Sequence, residues 1–442
     1  MKPRLLLLAC VCLMAAAPNA YAEDPYVIFS PVKNLATLFT SLFGPQGLKV
    51  DSEATLPGEQ PHTAHFNNDF ESNFDKFTTA IVGQLVTVPP PSPSSGFTYE
   101  FDPSTGVFRR TTQSFGPILS QRAETVGAGR VSVGFAYQRY HFQTIEGLDL
   151  NKVPAVFTHD SAELLGGRQD VVTTTTSIDA SVAQYTTYLT VGVTDRFDIS
   201  AALKFVTNDL KVRSDASIQR IGTTNELTHF YRQSDGSVGT TRQFWALGHA
   251  SGLGDIAIRL KTTIDQEKSR GVAAGLDIRL PTGDQMNLLG TGTAGLEPFI
   301  VLSSTHERLS PHANASYQWN GSSILAGNPA TGESADFPDQ FSYAAGADLA
   351  VNSRVTLALD LLGRYVINAE RLAQEPFHAL DGKSTFPNIV FSQESFNALS
   401  GSVGVKANLR DRLLLTGNLL FALDDHGVRD RVVPMIAFEY GF

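Results

Sequence analysis

Cysteine is nearly absent from this sequence. Its two cysteines, Cys10 and Cys12, lie within residues 1–22. That segment has a basic start, an apolar stretch and small residues at Ala20-Tyr21-Ala22, which is the pattern of a cleavable secretory signal. A lipoprotein signal ending at Cys10 is the alternative, but it has too few apolar residues ahead of the cysteine. The mature chain is therefore predicted to lack disulfides, thiolate metal sites and cysteine nucleophiles.

Long apolar runs and excess positive charge are also missing. No apolar run of about 20 residues follows the signal, which excludes membrane-spanning helices. Without Lys2 and Arg4, 32 of the 34 basic residues remain against 44 acidic ones, a formal charge of −12. Nucleic acid is therefore excluded as a partner. With a mean hydropathy of −0.06, a membrane protein must alternate apolar and polar residues, as transmembrane β-barrels do.

A period of two is present from residue 129 onward. In the first segment Val131, Val133, Phe135 and Tyr137 share one face. The same alternation recurs in several later segments: 197–205, 272–280, 355–364 and 399–409. The pattern predicts an all-β fold, a transmembrane antiparallel β-barrel over residues 129–442.

The connections between these segments are alternately short and long. Short ones are predicted at 194–196, 265–269, 304–309, 352–353 and 410–411. Mostly longer ones are predicted at about 143–170, 214–250, 283–294, 321–338 and 371–394, and the last connection on that side is 424–427. Short turns of outer-membrane barrels face the periplasm and long loops face outside. The count gives about twelve strands, with both ends of the barrel in the periplasm.

The last predicted strand ends in an alternating aromatic pattern. Phe438, Tyr440 and Phe442 fall on one face, and Glu439 falls on the other. This ending resembles the signal that the barrel-assembly machinery reads, so we predict that machinery and periplasmic chaperones as partners. The alternative is the edge strand of a soluble sandwich.

Charged residues fall on the polar face of the predicted strands. A charge facing lipid costs about 2–4 kcal/mol for Arg or Lys at the bilayer midplane, so these residues must face the lumen. Either they line a permeation path, or they close the lumen through ion pairs between neighbouring strands. The predicted lumen-lining set is Asp198, Lys204, Asp255, Arg259, Lys261, Asp277, Arg279, Asp348, Asp360, Arg364, Lys406 and Glu439.

Aromatic residues near the ends of predicted strands fit the girdles that barrels place at the membrane interfaces. Burial in loops is the alternative for any one of them. The residues are Tyr140, Phe142, Tyr185, Trp319, Tyr365 and Tyr440.

Residues 23–128 lack this regular alternation. Leu35, Leu38, Phe39 and Leu42 would share one face of a helix over Pro31–Phe43, with Ser30 as its N-cap. A proline-rich linker follows at 89–96, and segments 97–101 and 107–110 predict a β-hairpin. We expect a plug or a periplasmic segment; two additional wall strands, giving fourteen, are the alternative.

No motif predicts an enzyme, a cofactor or a metal. His159-Asp160-Ser161 resembles the His-x-Ser order of outer-membrane phospholipases, but it lies in a predicted loop and no matching asparagine motif follows. His62 and His65 are two potential metal ligands without a third nearby.

The stretches Gly252–Lys261, Leu280–Asp284 and Leu289–Gly292 resemble the outer-membrane barrel family named after the meta-pathway of phenol degradation. Pro311–Tyr317 and Thr194–Asp198 are similar to segments of the same family. The resemblance covers about residues 129–442. It implies a transporter for aromatic or other apolar compounds, distantly like long-chain fatty-acid channels.

Together these features predict an outer-membrane channel for passive uptake of small apolar or aromatic molecules. A barrel with structural or adhesive loops and no conduction is the first alternative, and a lipid hydrolase is the second. The expected contacts are outer-membrane lipid, lipopolysaccharide and a small hydrophobic solute.

Overall fold

The structure is a computed structural model. It describes residues 27–30, 32–44, 47–53, 76, 78–81, 83–84, 99–102, 107–110, 114–158, 169–222, 224–233, 235–267, 269–410 and 412–442. The predicted signal segment, His62, His65 and His159-Asp160-Ser161 lie outside this set, as does the predicted proline-rich linker.

Twelve antiparallel strands form the wall of a closed barrel. They are β1 Val131–Phe142, β2 Val171–Thr194, β3 Phe197–Gln219, β4 Thr241–Leu253 continued by Ile256–Gln266, β5 Arg270–Leu280, β6 Gly295–Ser304, β7 Leu309–Asn320, β8 Gln340–Asn352, β9 Val355–Gln374, β10 Ile389–Arg410, β11 Leu413–Ala422 and β12 Val432–Gly441. β12 closes the ring by pairing with β1, where Met435 lies opposite Gln138. The predicted twelve-stranded barrel is confirmed.

The hairpin predicted in the N-terminal region is also confirmed. Tyr99–Asp102 pairs with Val107–Arg110, but the two strands form a separate sheet. The alternative of fourteen wall strands is therefore wrong.

β4 is interrupted at Gly254 and Asp255. Its first part pairs with Phe205–Ser217 of β3, and its second part pairs with Phe197–Ala202 of the same strand. Only the second part pairs with β5. The outer edge of the first part is instead joined in parallel by Val27–Phe29.

The short turns join strands at one end of the barrel, which we call the periplasmic end, and the long loops lie at the outer end. β2 and β3 have 24 and 23 residues, more than the 9–11 that cross a bilayer. They therefore extend beyond the membrane, and the loop predicted at 214–250 shortens to 220–240. On β2 the outward face changes from Leu189 and Tyr185 to Asp179 and Thr175 on the way out.

The outer surface carries an apolar belt. Phe135, Leu203, Leu359 and Ile436 are examples of its exposed side chains. A closed barrel with such a belt satisfies its backbone internally and faces lipid, which is the architecture of proteins of the bacterial outer membrane. Within the described ranges, no helix is long and apolar enough to cross a membrane.

The described residues between 27 and 53, here called the cap, lie at the outer end. The predicted helix over 31–43 is reduced to a 3-10 helix at Leu35–Thr37, and its N-cap is Asn34 rather than Ser30. The predicted apolar face is nevertheless buried: Leu35, Leu38, Phe39 and Leu42 pack in the main apolar cluster. Val27–Phe29 pairs with β4, so the chain immediately before the predicted helix is extended.

Residues 114–128, here called the strap, run inside the barrel near its periplasmic end. Phe115, Ala123 and Ser120 are buried there. The strap leads directly into β1, so one continuous segment crosses the lumen before the wall begins.

Candidate functional site

The lumen contains a cavity of about 320 Å³. This volume suits a small organic molecule. Much of the wall is apolar or aromatic and includes Tyr140, Phe142, Tyr188, Leu362 and Leu420.

Two aromatic residues predicted for the membrane girdles belong to this cavity instead. Tyr140 and Phe142 are only 4% and 5% exposed, and their rings stack at 5.8 Å. They have the same strand parity as the inward Gln138, so the alternation along β1 places them inside. The girdle prediction was therefore wrong for this pair. The other four, Tyr185, Trp319, Tyr365 and Tyr440, are exposed.

One wall of the cavity carries a row of polar residues in direct cross-strand register. Ser200 of β3 lies opposite Arg259 of β4, Arg259 opposite Asp277 of β5, and Asp277 opposite Glu297 of β6. Ser316 of β7 donates a hydrogen bond to Glu297 Oε1 at 2.6 Å. The row follows from the pleat, since paired residues of neighbouring strands point to the same side.

Arg259 is held in place from two sides. Its guanidinium makes a two-point contact with the Asp277 carboxylate, in which Nε lies 2.6 Å from Oδ1. It also lies 4.9 Å from the centre of the Phe299 ring. Bidentate pairing and ring contact both restrict the guanidinium, so its charge is fixed at the wall.

The polar row continues on β8 and β9. Ser342 lies opposite Arg364, and both line the cavity. Arg429, in the loop between β11 and β12, lines it as well and forms an ion pair with Asp424. This side of the cavity is therefore rich in arginine.

Asp430 also lines the cavity, next to Arg429. Burial raises the pKa of its carboxyl, and the N–H groups of His141 and Val432 offset part of that rise. The His141 N–H donates to it at 2.6 Å. Asp430 therefore joins the loop to β1.

The strap closes the periplasmic side of the cavity through contacts with charged wall residues. Lys406 Nζ donates to the carbonyl oxygens of Pro117 at 2.6 Å and Phe115 at 3.1 Å. On the other side of the barrel, Lys261 Nζ donates to the Glu124 carbonyl oxygen at 2.6 Å. Both lysines are 5% exposed, so the two ammonium groups satisfy buried backbone acceptors that have little access to water.

Acidic wall residues contact the strap between these two lysines and beyond them. Asp360 accepts from the Ser120 hydroxyl at 2.5 Å and lies 2.7 Å from His312 Nε2. Asp198 accepts from the Val126 N–H at 3.0 Å. The strap is thus fixed to several strands around the barrel.

The cap lies at the outer end of the barrel and packs in the same apolar cluster as the cavity residues Tyr140 and Phe142. Leu35 packs so closely on Gly248 that a β-carbon there would overlap its side chain. Phe43 contacts Phe157 and Phe244 edge-to-face at 5.2 and 4.9 Å. Gln84, from the helical residues near 80, lines the cavity and accepts a hydrogen bond from the Val428 N–H. Segments that precede β1 therefore lie at both ends of the cavity.

Eleven of the twelve residues predicted to line the lumen lie on the buried or half-buried face of their strands, and Asp255 is buried at the interruption of β4. Three line the cavity, namely Arg259, Asp277 and Arg364. Four contact the strap or its ends, namely Asp198, Lys261, Asp360 and Lys406. The other five lie elsewhere: Lys204, Asp255, Arg279, Asp348 and Glu439.

Those other five have their own contacts. Asp255 accepts from the Thr291 N–H at 2.8 Å and lies 3.8 Å from Arg279, so the pair anchors the loop between β5 and β6. Asp348 lies 3.4 Å from His312, and Glu439 accepts from Ser132 at 3.0 Å. Lys204 is half-buried beside the interruption of β4.

The sequence prediction missed several cavity residues. Glu297 has the alternation that could have identified it, because it shares its phase with Phe299 and Val301. Arg429 gave no such signal. It lies in a loop, where no alternation predicts which side chains face the cavity. Tyr188 was missed since only charged residues were assigned to the lumen.

The predicted assembly residues lie on the outward face of β12. Phe438, Tyr440 and Phe442 are exposed, and the Phe442 N–H donates to the Val131 carbonyl oxygen at 2.8 Å. Their role in assembly stays a prediction. Among the described residues no group of three or more His, Cys, Asp or Glu could hold a metal ion.

A family model described as "Putative MetA-pathway of phenol degradation" matches residues 160–366. No curated protein matches the chain. Among solved structures, an outer membrane channel from Pseudomonas putida F1 has 13% identity and a TM-score of 0.42, covering 72% of this chain and 98% of that one. The NanC porin has 8% identity and a TM-score of 0.34, covering 70% and 98%.

The Ralstonia pickettii toluene transporter TbuX has 12% identity and a TM-score of 0.31, covering 72% of this chain and 90% of that one. The family match extends from the loop before β2 into β9. It confirms the family resemblance seen in the sequence over that range.

Proposed function

We propose that this protein is an outer-membrane channel for passive uptake of small apolar or aromatic molecules. The observation that carries the proposal is the largely apolar cavity of about 320 Å³ inside the barrel. A solute can reside there out of contact with lipid. Movement down a gradient needs no catalytic group, and the family description, a pathway of phenol degradation, agrees with an aromatic solute.

The strap and the cap are the proposed plugs of this channel. Neither belongs to the twelve strands of the wall. Strap residues line the periplasmic side of the cavity, and the cap lies at the outer end of the barrel. The strap is held mainly by hydrogen bonds and charged groups, such as Lys406 and Asp360, whereas the cap is held by apolar packing. Release of the strap would open the periplasmic side without changing the wall.

The same features weigh against a non-conducting barrel. A lumen filled by wall side chains alone would favour that alternative, but this cavity is bounded at its ends by segments that precede β1. The hydrolase alternative has no support from the described residues, since Ser161 lies outside them. We also propose lipid and lipopolysaccharide as contacts of the apolar belt, and the assembly machinery as a partner of β12.

The proposal is tested by filling the cavity. Ser342 faces it from β8, so Ser342→Trp places an indole in the path. The matched control is Ala345→Trp, at an exposed position of the same strand. In cells with the protein in their outer membrane, initial uptake of radiolabelled toluene should fall with Ser342→Trp to the level of cells lacking the protein, and should persist with Ala345→Trp. Uptake unchanged by Ser342→Trp would sink the proposal.

A further inference from the structure

A second cavity lies inside the barrel, on the periplasmic side of the cavity described above, which we now call the first cavity. Its volume is about 50 Å³, against about 320 Å³ for the first. On β1, β10, β11 and β12 the residues that line it are nearer the periplasmic ends of the strands than those that line the first cavity. On β11, for example, Thr416 lines the second cavity and Leu420 lines the first. The two cavities therefore follow one another along the barrel.

The strap crosses the lumen where the two cavities meet. Its residues 119–121 line the first cavity, whereas Ile118 lines the second. Ile118 packs with Ala358 of β9 and Met435 of β12. Lys406, which donates to the strap carbonyl oxygen of Pro117, also lines the second cavity. The second cavity is therefore bounded on one side by the part of the strap that Lys406 holds.

Tyr188 of β2 lies at the junction of the two cavities. Of the described residues, it is the only one that lines both. It is 6% exposed, so its ring fills the space between them. The first cavity and the second are therefore separated by one side chain of the wall and by the strap at Ile118.

The wall around Tyr188 has small side chains. Gly134 of β1 and Ala202 of β3 lie directly opposite it in the sheet. A β-carbon at Gly134 would lie 3.7 Å from Cδ2 of the ring, which places the ring beside this glycine. The same cluster contains three more alanines, Ala136, Ala257 and Ala437. The neighbouring strands thus leave space along the wall, and the ring of Tyr188 is what narrows it.

We infer that solute leaves the first cavity between Tyr188 and Ile118, enters the second cavity, and is limited in size by the Tyr188 ring. This inference rests on the proposed uptake function and specifies its route on the periplasmic side. The route passes the strap, because Ile118 belongs to it. Movement of one aromatic side chain and of the strap segment beside it is sufficient to join the two cavities, while the twelve strands keep their pairing. Tyr188 is then a residue that determines specificity.

Filling the second cavity tests the route. Thr190 lines that cavity and not the first, so Thr190→Trp places an indole beyond the junction. The matched control is Leu189→Trp, at the adjacent exposed position of the same strand. In cells with equal amounts of folded protein, verified by heat-modifiable electrophoretic mobility, initial uptake of radiolabelled toluene should fall with Thr190→Trp to the level of cells lacking the protein. It should persist with Leu189→Trp.

Removing the ring tests the size limit, and does so independently of whether Thr190→Trp folds. Tyr188→Ala should raise the uptake of 1-methylnaphthalene relative to toluene about tenfold, because the step that restricts the larger solute loses its steric barrier. Tyr188→Phe retains the ring and should leave this ratio within about twofold of that of the unaltered protein. Tyr185→Ala removes the same side chain from the exposed face of the same strand and should not change the ratio.

The outcomes separate the inference from the proposed function. If folded Thr190→Trp takes up toluene as the unaltered protein does while Ser342→Trp does not, the route is wrong and the channel remains. If Tyr188→Ala has the same ratio as Tyr185→Ala, the ring does not limit the solute and the inference is likewise overturned. If the unaltered protein takes up no toluene at all, the proposed function fails with it.

Discussion

At the scale of single residues, two buried lysines hold the strap in the lumen. Lys406 and Lys261 each donate to strap carbonyl oxygens, from β10 and β4. A buried backbone acceptor that loses its donor costs about 1–3 kcal/mol. The charged residues near the periplasmic end therefore mainly hold the strap.

Removal of one lysine should loosen the strap. Lys406→Met keeps the length of the side chain but leaves the carbonyl oxygens of Phe115 and Pro117 without this donor. We expect more frequent and longer openings in planar-bilayer recordings. Lys211→Met, at an exposed outward position of β3, is the control and should behave as the unaltered protein. Identical opening in both variants would show that Lys406 does not hold the plug.

A second residue-scale prediction concerns an aromatic ring that covers a glycine. Phe299 lies directly opposite Gly275, and a β-carbon at Gly275 would overlap both that ring and the Leu260 carbonyl oxygen. Gly275→Ala should therefore reduce the free energy of unfolding by about 1–3 kcal/mol. At Gly417 a β-carbon meets nothing within 4 Å, so Gly417→Ala is the control. Urea unfolding midpoints provide the comparison, and equal midpoints would contradict the account.

Alternation predicted which charged residues face inward, because the side of a strand residue depends only on its parity. It could not predict their partners. The contact between Lys406 and Pro117 joins residues 289 positions apart. Nothing local in either segment specifies such a contact, so the charged set could be identified while its division between cavity and strap could not.

At the scale of elements, the interruption of β4 is the main departure from a regular barrel. Asp255 lies at the interruption and accepts hydrogen bonds from the N–H groups of Gly283 and Thr291 and from the Thr291 hydroxyl. One carboxylate thus holds both ends of the loop between β5 and β6. These contacts explain how a loop with little regular structure is kept in place.

Asp255→Ala should free that loop. Loss of the acceptor leaves the Thr291 N–H without its partner, so hydrogen exchange at residues 283–291 should become at least about tenfold faster, which corresponds to about 1.4 kcal/mol. Asp284→Ala is the control, since the Asp284 carboxylate caps the short helix at Gln285–Asn287 in the same loop and accepts from the Asn287 side chain, without contacting Thr291. Exchange at Thr291 that responds equally to both variants would contradict the role given to Asp255.

The strands were predicted best along the part of their length that crosses the membrane. The short turns and the number of strands follow from apolar outward faces of nearly constant length. The lengths of β2 and β3 could not be predicted in this way, because beyond the membrane their outward faces become polar while the strands continue. Polar residues such as Asp209 and Asp215 occur equally in loops. The change from apolar to polar outward residues therefore shows where a strand leaves the lipid, and it does not show where the strand ends.

At the scale of the whole molecule, the chain before β1 supplies both closures of the lumen. The cap joins the outer end of β4, and the strap lies at the periplasmic end. The sequence predicted a plug or a periplasmic segment for residues 23–128, but the position of the cap depends on pairing with a strand more than 200 residues away. The central claim is that solute must pass the strap.

An engineered disulfide across the strap tests that claim most directly. A β-carbon at Gly271 would lie 2.9 Å from Ala123 Cβ, so Ala123→Cys with Gly271→Cys needs a shift of about 1 Å to reach the usual Cβ separation of about 3.8 Å. Both native cysteines precede the predicted cleavage site, so the pair has no competing thiol in the mature chain. Each single cysteine variant is a control and should transport under all conditions.

The measurement is toluene uptake by cells carrying the double variant, before and after treatment with a reductant. The account predicts uptake near that of cells lacking the protein while the disulfide is intact, and recovery to the level of the unaltered protein after reduction. Equal uptake in the oxidised and reduced states, with the disulfide shown to be formed, would contradict it, because solute would then reach the periplasm without displacing the strap.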